Sequence, residues 1–337
     1  MIPSVGRPKA LLCTTPDNFR LVYPPHVLDQ LARRVDFERR SWTDAELRAR
    51  PELLADVEFL FTTWKGPRLD AALLRAAPRL RGVFHAAGTV KAMVTPEFWA
   101  RDIPLCNAQV VNGLPVADFA YAQILLGLKG YWRLSRGMRA LRAYPPDKMS
   151  GPGIAGATVG LVSFGGIARA LAAKLVADGI RVLAYDPFVD AGTAALAEVE
   201  LVTLEEVFSL PEVVSCHAPL NPATRGLVTR ELLASLRPGA VFLNTARGQV
   251  VAPGALEDVF GRRPDLTALL DVTDPEPLPA DSPLWDLPNV ITSPHIAGST
   301  GRDCARMAES AIAELDRLLS GQPLRFAVTP EAVALAT

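Results

Sequence analysis

The stretch TVGLVSFGGIARALAAKL, Thr158 to Leu175, runs from an apolar strand through two adjacent glycines into a helix-forming segment. A second apolar run, RVLAYD, ends at Asp186, which lies 21 residues after Gly165. Backbone amides at the start of such a helix can hold a phosphate, and an acid after the second strand can accept hydrogen bonds from ribose hydroxyls. The pattern therefore predicts a βαβ unit that binds a dinucleotide.

The glycine loop departs from the usual G-x-G-x-x-G/A pattern at its first position, where Ser163 stands, and it closes on Ala168. Alanine is accepted at the third position, whereas a serine at the first must adopt the tight turn that glycine usually makes. A simple strand-to-helix turn is therefore the alternative interpretation. In the dinucleotide interpretation, the loop residues that contact the cofactor are Phe164, Gly165, Gly166 and Ile167.

Asp186 indicates which dinucleotide is bound. A carboxylate at this position would repel the 2′-phosphate of NADP, so we expect NAD(H) as the cofactor. The alternative is that Asp186 caps a turn before Pro187.

Short apolar runs alternate with helical segments along the whole chain, which is typical of parallel sheets covered by helices. The first series of predicted strands is KALLCTT, VEFLFTTW, LRGVFHAAG and IPLCNA, and its predicted helices include Asp44 to Arg50 and Asp70 to Ala76. The second series is TVGLVSF, RVLAYD, VVSCHA, AVFLNTA, LTALLDV and VITSPH. Two series of strands predict two domains.

Two further helices are predicted outside these series. Residues 114–144 have small and apolar residues at helical spacing and read as one connecting helix, followed by the loop PPDKMSGPGIAG. Residues 301–320 show the same periodicity, and a helix this late in the chain could pack back on the first domain.

Composition favours a globular protein with a small-molecule partner. The chain has 337 residues, 49% of them hydrophobic, and 35 basic side chains nearly balance 36 acidic ones. This balance gives no electrostatic reason to expect nucleic acid or an anionic membrane. The start, MIPSVGRPKALLCTT, lacks a long apolar core before a cleavage site, and we expect no run to reach the roughly 18 apolar residues of a membrane span. We therefore expect a cytoplasmic protein.

Cysteine and histidine usage argues against a metal site. The four cysteines, Cys13, Cys106, Cys216 and Cys304, are far apart and form no C-x-x-C pair, so reduced, semi-buried thiols are expected. None of the four histidines is paired at ligand spacing, so no metal is expected.

Three chemically active residues follow three successive predicted strands: Arg247 in NTARGQVV, Glu276 in DVTDPEPL and His295 in SPHIAGST. Ligands of an open parallel sheet bind beyond the carboxyl ends of its strands, on the cofactor's side. An arginine, a carboxylate and an imidazole at this edge are hard to explain by packing. Taken singly, each residue has a structural alternative: a surface salt bridge for Arg247, an exposed loop charge for Glu276 and a helix cap for His295.

These three blocks, separated by 29 and 19 residues, resemble those of the D-isomer-specific 2-hydroxyacid dehydrogenase family. The resemblance extends to VADFA at Val116 to Ala120, SCHAPLNPATRGLV at Ser215 to Val228, and PLWDLPNVITSPHIAGST, and it covers nearly the whole chain.

The resemblance implies an α/β fold of two domains, in which a Rossmann-type NAD-binding domain is inserted into a flavodoxin-like substrate domain with an open parallel sheet. The expected limits are residues 1–112 plus 305–337 for the substrate domain and 113–304 for the NAD-binding domain. It also implies a cleft between the domains, and a homodimer joined through the cofactor domains.

The family pattern further implies NAD-dependent interconversion of a small 2-oxo acid and its D-2-hydroxy acid. Arg247 would bind the substrate's carboxylate and carbonyl oxygen, for which a planar guanidinium is suited. His295 would transfer the proton to or from that oxygen, and Glu276 would orient the imidazole and favour its charged form. The remaining residues that it places along the cofactor are His217, Ala218, Pro219, Thr224, Thr245, Ala246, Asp271 and Gly298. For His217, a structural role is an equally good interpretation.

The substrate loop is where this chain departs from the family, which commonly carries a glycine-rich segment ending in V-D-N-I-D. Here the loop is HAAGTVKAMV, His85 to Val94, with Val90 and Lys91 in place of the Asp-Asn pair. Ala87 and Gly88 still permit the backbone to approach a substrate carboxylate. Lys91 could face a second acidic group, although a solvated surface lysine is the simpler interpretation.

Two other functions compete with the dehydrogenase. Some relatives with this fold act as NAD(H)-sensing corepressors, so a binding protein is the main alternative. A methyltransferase that binds a nucleoside at the glycine loop would leave Arg247, Glu276 and His295 unexplained.

Overall fold

The computed structural model describes residues 6–335, which form two compact units. The first unit contains the chain up to Asn112 and again from Ser299 onward, and the second is Gly113–Gly298. The first boundary coincides with the expected one, but the second lies six residues before the expected 304. The backbone N–H of Ser299 donates to Asn112 Oδ1 (3.0 Å), which ties this loop to the first unit. The expected outer limits, residues 1 and 337, lie outside the described residues.

The described residues contain eleven strands. They are β1 Ala10–Cys13, β2 Phe59–Thr62, β3 Gly82–His85, β4 Leu105–Asn107, β5 Thr158–Val162, β6 Arg181–Tyr185, β7 Val199–Leu201, β8 Val213–Cys216, β9 Val241–Asn244, β10 Thr267–Leu270 and β11 Val290–Thr292.

Helices cover both sheets. They are α1 Pro16–Val22, α2 Pro25–Ala32, α3 Asp44–Ala49, α4 Ala71–Ala76, α5 Pro96–Trp99, α6 Gln109–Leu128, α7 Tyr131–Leu141, α8 Gly166–Ala177, α9 Ala191–Leu196, α10 Leu204–Ser209, α11 Arg230–Ala234, α12 Ala255–Arg262, α13 Asp303–Leu319 and α14 Pro330–Leu335. Short 3₁₀ turns occupy Pro51–Leu54, Gly248–Val250 and Pro283–Asp286.

The first unit contains a parallel sheet with the strand order β1-β2-β3-β4. Residues 36–42 extend it beyond β1, because Asp36 and Trp42 form parallel bridges to Lys9 and Cys13. When the edge segment is counted as a strand and the strands of this unit are numbered along the chain, their order in the sheet is 2-1-3-4-5. This is the strand order of flavodoxin-like folds. The flavodoxin-like prediction is confirmed, although the sequence pattern did not reveal the edge segment.

Helix α13 packs on the first unit's sheet, as its periodicity predicted. Its apolar face, which includes Met307, Ala311 and Leu315, belongs to the same buried cluster as Phe59 and Phe84. The chain therefore returns to complete the core of its first unit.

The second unit contains a seven-stranded parallel sheet with the order β11-β10-β9-β8-β5-β6-β7. Numbered from β5, this is 7-6-5-4-1-2-3, the Rossmann order 3-2-1-4-5-6 with one further strand. The Rossmann prediction is confirmed. Strand β7 was not predicted, because its three residues include an exposed Glu200 and it lies at the sheet's edge.

The connecting segment forms two helices rather than the single one predicted. Helix α6 ends at Leu128 and α7 begins at Tyr131, because Gly130 adopts a left-handed conformation with φ of +66°. Such a residue interrupts the helical hydrogen-bond ladder, and glycine adopts this conformation without steric cost.

Helix α6 passes a length and composition test for a membrane span, the one helix among those described that does so. The expectation that no stretch would reach this limit was therefore wrong. One such helix is weak evidence, since a core helix passes the same test. Ala117, Ala120, Ile124 and Leu128 pack in the same cluster as the sheet residue Val159, which explains the small apolar composition.

Gly160 in β5 allows α10 to approach the second sheet closely. A Cβ added there would lie 2.5 Å from the carbonyl oxygen of Val207. We predict that Gly160→Ala lowers the free energy of unfolding by roughly 1–3 kcal/mol through overpacking. The matched control is Gly261→Ala in α12, where the nearest atom is 3.9 Å away and alanine should slightly stabilise the helix. Urea denaturation of both variants measures the difference, and equal stabilities would contradict the close approach.

Candidate active site

The glycine loop joins β5 to α8 at the carboxyl edge of the second sheet. Ser163 occupies the first glycine position with φ of +74°, so the serine adopts the tight turn that the sequence required of it. Gly165 caps the 12-residue helix α8, and a Cβ added at Gly165 or Gly166 would meet no atom within 4 Å. The start of α8 therefore has open space beside its backbone amides, which fits a bound phosphate.

Asp186 lies at the end of β6, where a ribose-binding acid is expected. Its Oδ2 accepts hydrogen bonds from the backbone N–H of Phe164 (2.8 Å) and the hydroxyl of Ser163 (3.1 Å). Its Oδ1 accepts from the N–H of Phe188 (2.9 Å). Because a carboxylate has about four acceptor positions, one remains on Oδ1 for a ligand.

The other predicted cofactor residues follow strands of the same sheet and so lie along its carboxyl edge. His217, Ala218 and Pro219 come after β8, Thr245 and Ala246 after β9, Asp271 after β10, and Gly298 after β11. The hydroxyl of Thr245 is buried and has no hydrogen-bond partner among the described residues. A buried hydroxyl without a partner is costly, so this atom also fits a bound ligand.

Two of these residues have structural partners. Thr224 donates its hydroxyl to the carbonyl oxygen of Pro219 and accepts from the N–H of Asn221 (3.0 Å), which closes their turn. The ring of His217 pairs with the hydroxyl of Ser215 (2.8 Å), and burial lowers the pKa of His217 to about 4. His217 is therefore neutral near pH 7, which disfavours it as a proton donor.

The second unit brings together Glu276 and His295, which follow neighbouring strands. Glu276 Oε1 is 2.6 Å from His295 Nδ1, and both side chains are partly exposed. This contact orients the ring and makes Nδ1 the protonated nitrogen. The other nitrogen, Nε2, has no hydrogen bond to any described residue and can serve a substrate.

The backbone of His295 is held in a left-handed conformation, with φ of +55°. Its N–H donates to the carbonyl oxygen of Asp271 (3.0 Å). The buried carboxylate of Asp271 accepts three further hydrogen bonds, from the Ser293 hydroxyl (2.6 Å) and the N–H groups of Ile296 (2.9 Å) and Ala297 (2.8 Å). In the described structure Asp271 thus anchors the loop that carries His295, a role that the sequence did not suggest.

Arg247 follows β9, and its guanidinium donates to the carbonyl oxygen of Ala246 (2.6 Å). Burial lowers the pKa of Arg247, and the nearby charge of Glu276 opposes this effect. No carboxylate forms an ion pair with this guanidinium within residues 6–335. A largely buried cation without an ionic partner favours binding of an anion.

Gly248 fixes where Arg247 lies relative to the loop after β10. A Cβ at Gly248 would lie 2.0 Å from the carbonyl carbon of Thr273, so only glycine allows the two loops to meet. Gln249 strengthens the contact through a hydrogen bond to Asp274 (3.0 Å). Gly248 was not among the predicted site residues, although its position directly after Arg247 is the signal that could have identified it.

The predicted substrate residues Ala87 and Gly88 lie in the first unit, directly after β3. Their carbonyl oxygens accept from Ala108 N (2.9 Å) and Asn107 Nδ2 (2.9 Å), whereas neither amide N–H has an acceptor among the described residues. Two free amides in succession suit a carboxylate. His85 is buried against Thr62 (2.8 Å), and burial lowers the pKa of His85 to about 4, so its role is structural.

The cysteines are free and buried, as expected for reduced thiols. Burial raises the pKa of Cys216 to about 11 and that of Cys106 to about 12, so neither is a ready nucleophile. In the described part of the chain, no group of three His, Cys, Asp or Glu residues could hold a metal ion.

Comparison with known proteins identifies the family of this chain. Residues 121–297 match the model of the family described as D-isomer specific 2-hydroxyacid dehydrogenase, NAD binding domain. The (S)-sulfolactate dehydrogenase of Chromohalobacter salexigens is 36% identical over 253 residues, which are 75% of this chain and 82% of that protein. The D-3-phosphoglycerate dehydrogenase of Mycobacterium leprae is 34% identical over 255 residues, 75% of this chain but 48% of its own length. The chain thus spans about half the length of such curated relatives.

A solved structure matches over both units. The TT0316 protein from Thermus thermophilus is 31% identical, with a TM-score of 0.72, and the alignment covers 95% of this chain and 100% of that one.

Replacing Asp271 should release the loop that carries His295. Asparagine keeps one acceptor oxygen, and its NH2 group would face either the N–H of Ala297 or the donors of Ser293 and Ile296, which then lose their acceptor. We predict that Asp271→Asn lowers the free energy of unfolding by at least about 2 kcal/mol, since hydrogen bonds to a charged group contribute roughly 1.5–3 kcal/mol. The control Asp274→Asn, whose partner Gln249 is on the surface, should change it by less than about 0.5 kcal/mol. Equal losses in chemical denaturation would show that Asp271 is not the anchor.

Proposed function

Because the chain belongs to the D-isomer specific 2-hydroxyacid dehydrogenase family, with residues 121–297 as its NAD-binding domain, we propose that it interconverts a small 2-oxo acid and its D-2-hydroxy acid. The observation that carries this proposal is the His295–Glu276 contact of 2.6 Å at the sheet edge where Arg247 has no ionic partner. A proton donor and an anion-binding cation at one edge are what reduction of a 2-oxo acid requires.

The cofactor residues fit NAD(H). The open start of α8 would hold the pyrophosphate, and the remaining acceptor position on Asp186 would take a ribose hydroxyl. The carboxylate would also disfavour a 2′-phosphate, so NADH is expected over NADPH. When bound, NAD(H) supplies or accepts the hydride.

Arg247 would bind the carboxylate and the carbonyl oxygen of the substrate through parallel N–H donors. The free amides of Ala87 and Gly88 offer two further donors to a carboxylate. His295 would donate the proton on Nε2 to the carbonyl oxygen as that oxygen gains negative charge, and would take it back in the oxidative direction. Glu276 would accept the hydrogen bond from Nδ1–H throughout and stabilise the charged ring.

A homodimer joined through the second unit is part of this proposal. Apolar side chains are exposed on α7 and the segment after it, namely Tyr131, Met138, Leu141, Tyr144 and Met149. A cluster of this kind is more typical of an interface than of a free surface. The cytoplasmic location, and the absence of nucleic-acid and membrane partners, stay predictions from the sequence.

The corepressor-like alternative keeps the cofactor site but needs no turnover. NADH oxidation with glyoxylate, pyruvate, hydroxypyruvate and branched 2-oxo acids separates the two functions. In the reverse direction, the D-2-hydroxy acid but not its L isomer should reduce NAD⁺. Tight NADH binding without turnover of any 2-oxo acid would favour the alternative.

We predict that Arg247→Lys damages catalysis nearly as much as Arg247→Ala. Lysine keeps the charge but cannot present two coplanar donors, and part of the lost contact belongs to the transition state. The expected loss in kcat/KM is on the order of 10²-fold or more, with a fall in kcat. NADH binding, followed by fluorescence titration, is the control and should change little. Near-normal turnover in Arg247→Lys, or joint loss of cofactor binding and stability, would identify Arg247 as a structural cation.

A further inference from the structure

A cavity of about 240 Å³ lies in the second unit, at the edge of the sheet where its strands begin. It is lined by Glu212, which precedes β8, by Ala240, which precedes β9, and by Thr267, the first residue of β10. The start of α7 and residues 150–152 line it as well. The glycine loop and the residues of the proposed reaction lie at the carboxyl ends of the strands, so this cavity is not part of the site described above.

Three arginines lie at this cavity, and two of them are neutralised by acids of the same unit. Arg133 forms an ion pair with Asp147. Arg237 forms an ion pair with Glu212, in which the nitrogen and oxygen are 2.6 Å apart. The other carboxylate oxygen of Glu212 accepts a hydrogen bond from the backbone N–H of Thr158 (2.8 Å). Both acids are thus already engaged and do not serve the third arginine.

The third arginine, Arg136, is half-buried and has no ionic partner within residues 6–335. Its one hydrogen-bond partner there is the neutral hydroxyl of Thr267 (3.4 Å), which places the guanidinium beside the cavity. Burial lowers the pKa of Arg136, and the like charge of Arg133 lowers it further. A partly buried cation without a counter-charge is costly, so this arrangement favours binding of an anion.

Two N–H donors at the cavity also lack acceptors. Trp132 lines the cavity, and its indole Nε1 is buried without a hydrogen-bond partner among the described residues. Gly151 lines it from the other side of the chain segment, and its backbone N–H has no acceptor in the described part of the structure. Buried donors nearly always have an acceptor in folded proteins. Unpaired N–H groups beside an unpaired guanidinium therefore indicate an oxyanion as the ligand.

We propose that this cavity binds a phosphate group, either as inorganic phosphate or as the monoester of a small metabolite, through Arg136 and the indole N–H of Trp132. A phosphate is favoured over a carboxylate because its oxygens point in several directions, and the donors come from both α7 and the loop 150–152. The volume of about 240 Å³ is well above the ~30 Å³ of one water, so it accommodates a phosphate with a few carbon atoms. The bound anion links α7 to the strand ends and thereby stabilises the second unit.

The test titrates the full chain with inorganic phosphate and, in parallel, with glycerol 3-phosphate. Saturating NAD⁺ occupies the start of α8, and chloride keeps the ionic strength constant so that general screening is excluded. Tryptophan emission and the urea unfolding midpoint report binding. We expect saturable binding with a Kd in the millimolar range or below, and a midpoint that rises with phosphate concentration. The anion with the lower Kd shows whether the site takes free phosphate or a monoester.

Four variants locate the bound anion. Arg136→Gln should weaken phosphate binding at least about tenfold, since hydrogen bonds to charged groups contribute roughly 1.5–3 kcal/mol. Because it removes an uncompensated charge, its unfolding midpoint without phosphate should not fall below that of the wild type. Trp132→Phe keeps an aromatic ring without the N–H and should abolish the emission change. Arg139→Gln removes an exposed charge from the same helix and Arg247→Ala removes the unpaired guanidinium of the candidate active site, so both should bind phosphate as the wild type does.

Three results would overturn the proposal. The first is the absence of saturable binding of either anion. The second is an equal loss of binding in Arg136→Gln and Arg139→Gln, or a loss in Arg247→Ala alone, which would place the anion elsewhere. The third is a wild-type dimer that binds no phosphate and dissociates in Arg136→Gln by sedimentation velocity, which would assign the cavity to a subunit interface. None of these measurements requires turnover of a 2-oxo acid, so they leave the proposed function untouched.

Discussion

A buried carboxylate holds the loops at the carboxyl edge of the second sheet in one arrangement. Asp271 follows β10, and its two oxygens accept from the loop after β11, at Ser293, Ile296 and Ala297. Its carbonyl oxygen also accepts from the N–H of His295. The neighbouring strand ends are thereby joined by charge-assisted hydrogen bonds, which are among the stronger contacts available to a loop. These bonds hold the loop in which the backbone of His295 is left-handed.

At the same edge, the packing of the loops determines how close the charged side chains lie to one another. Gly248 lets the loop after β9 touch the loop after β10, and this contact places Arg247 near the charge of Glu276. Glu276, however, is already paired with His295 at 2.6 Å. The charge of Glu276 thus stabilises the guanidinium of Arg247, although the two side chains form no ion pair. An anion at this guanidinium would not have to break an ion pair first, which lowers the cost of binding.

The sequence predicted what depends on residue type and periodicity. The strands of both sheets, apart from the short edge elements, and the Rossmann loop follow from local pattern. Arg247, Glu276 and His295 were selected by the rule that ligands bind at carboxyl ends, and their roles stay predictions. Prediction from the sequence failed for features that depend on strand pairing or on the backbone angle of a single residue. Strand β7 and the edge segment 36–42 are too short and polar to show a period, and the break at Gly130 depends on one left-handed residue. The anchoring role of Asp271 requires knowing that β10 and β11 are neighbours.

Residues other than glycine with positive φ occur at two kinds of position in the described structure. Six non-glycine residues with positive φ occur among those described. Asp102, Arg142 and Glu198 lie within two residues of a helix C-cap or form it, where a left-handed residue is common. The other three, Lys65, Ser163 and His295, follow the carboxyl ends of β2, β5 and β11.

At each of these three positions, glycine would relieve the strain but would remove a side chain at the carboxyl edge of a sheet. His295 provides the proton donor of the proposed reaction, and the hydroxyl of Ser163 holds Asp186 in place. Strain of this kind persists when the surrounding contacts over-determine the backbone, as Asp271 does for His295 and as Thr14 and Asn18 do for the turn of Lys65. At His295 and at Lys65 the positive φ is thus imposed by contacts from other segments of the chain and not by a local preference of the residue.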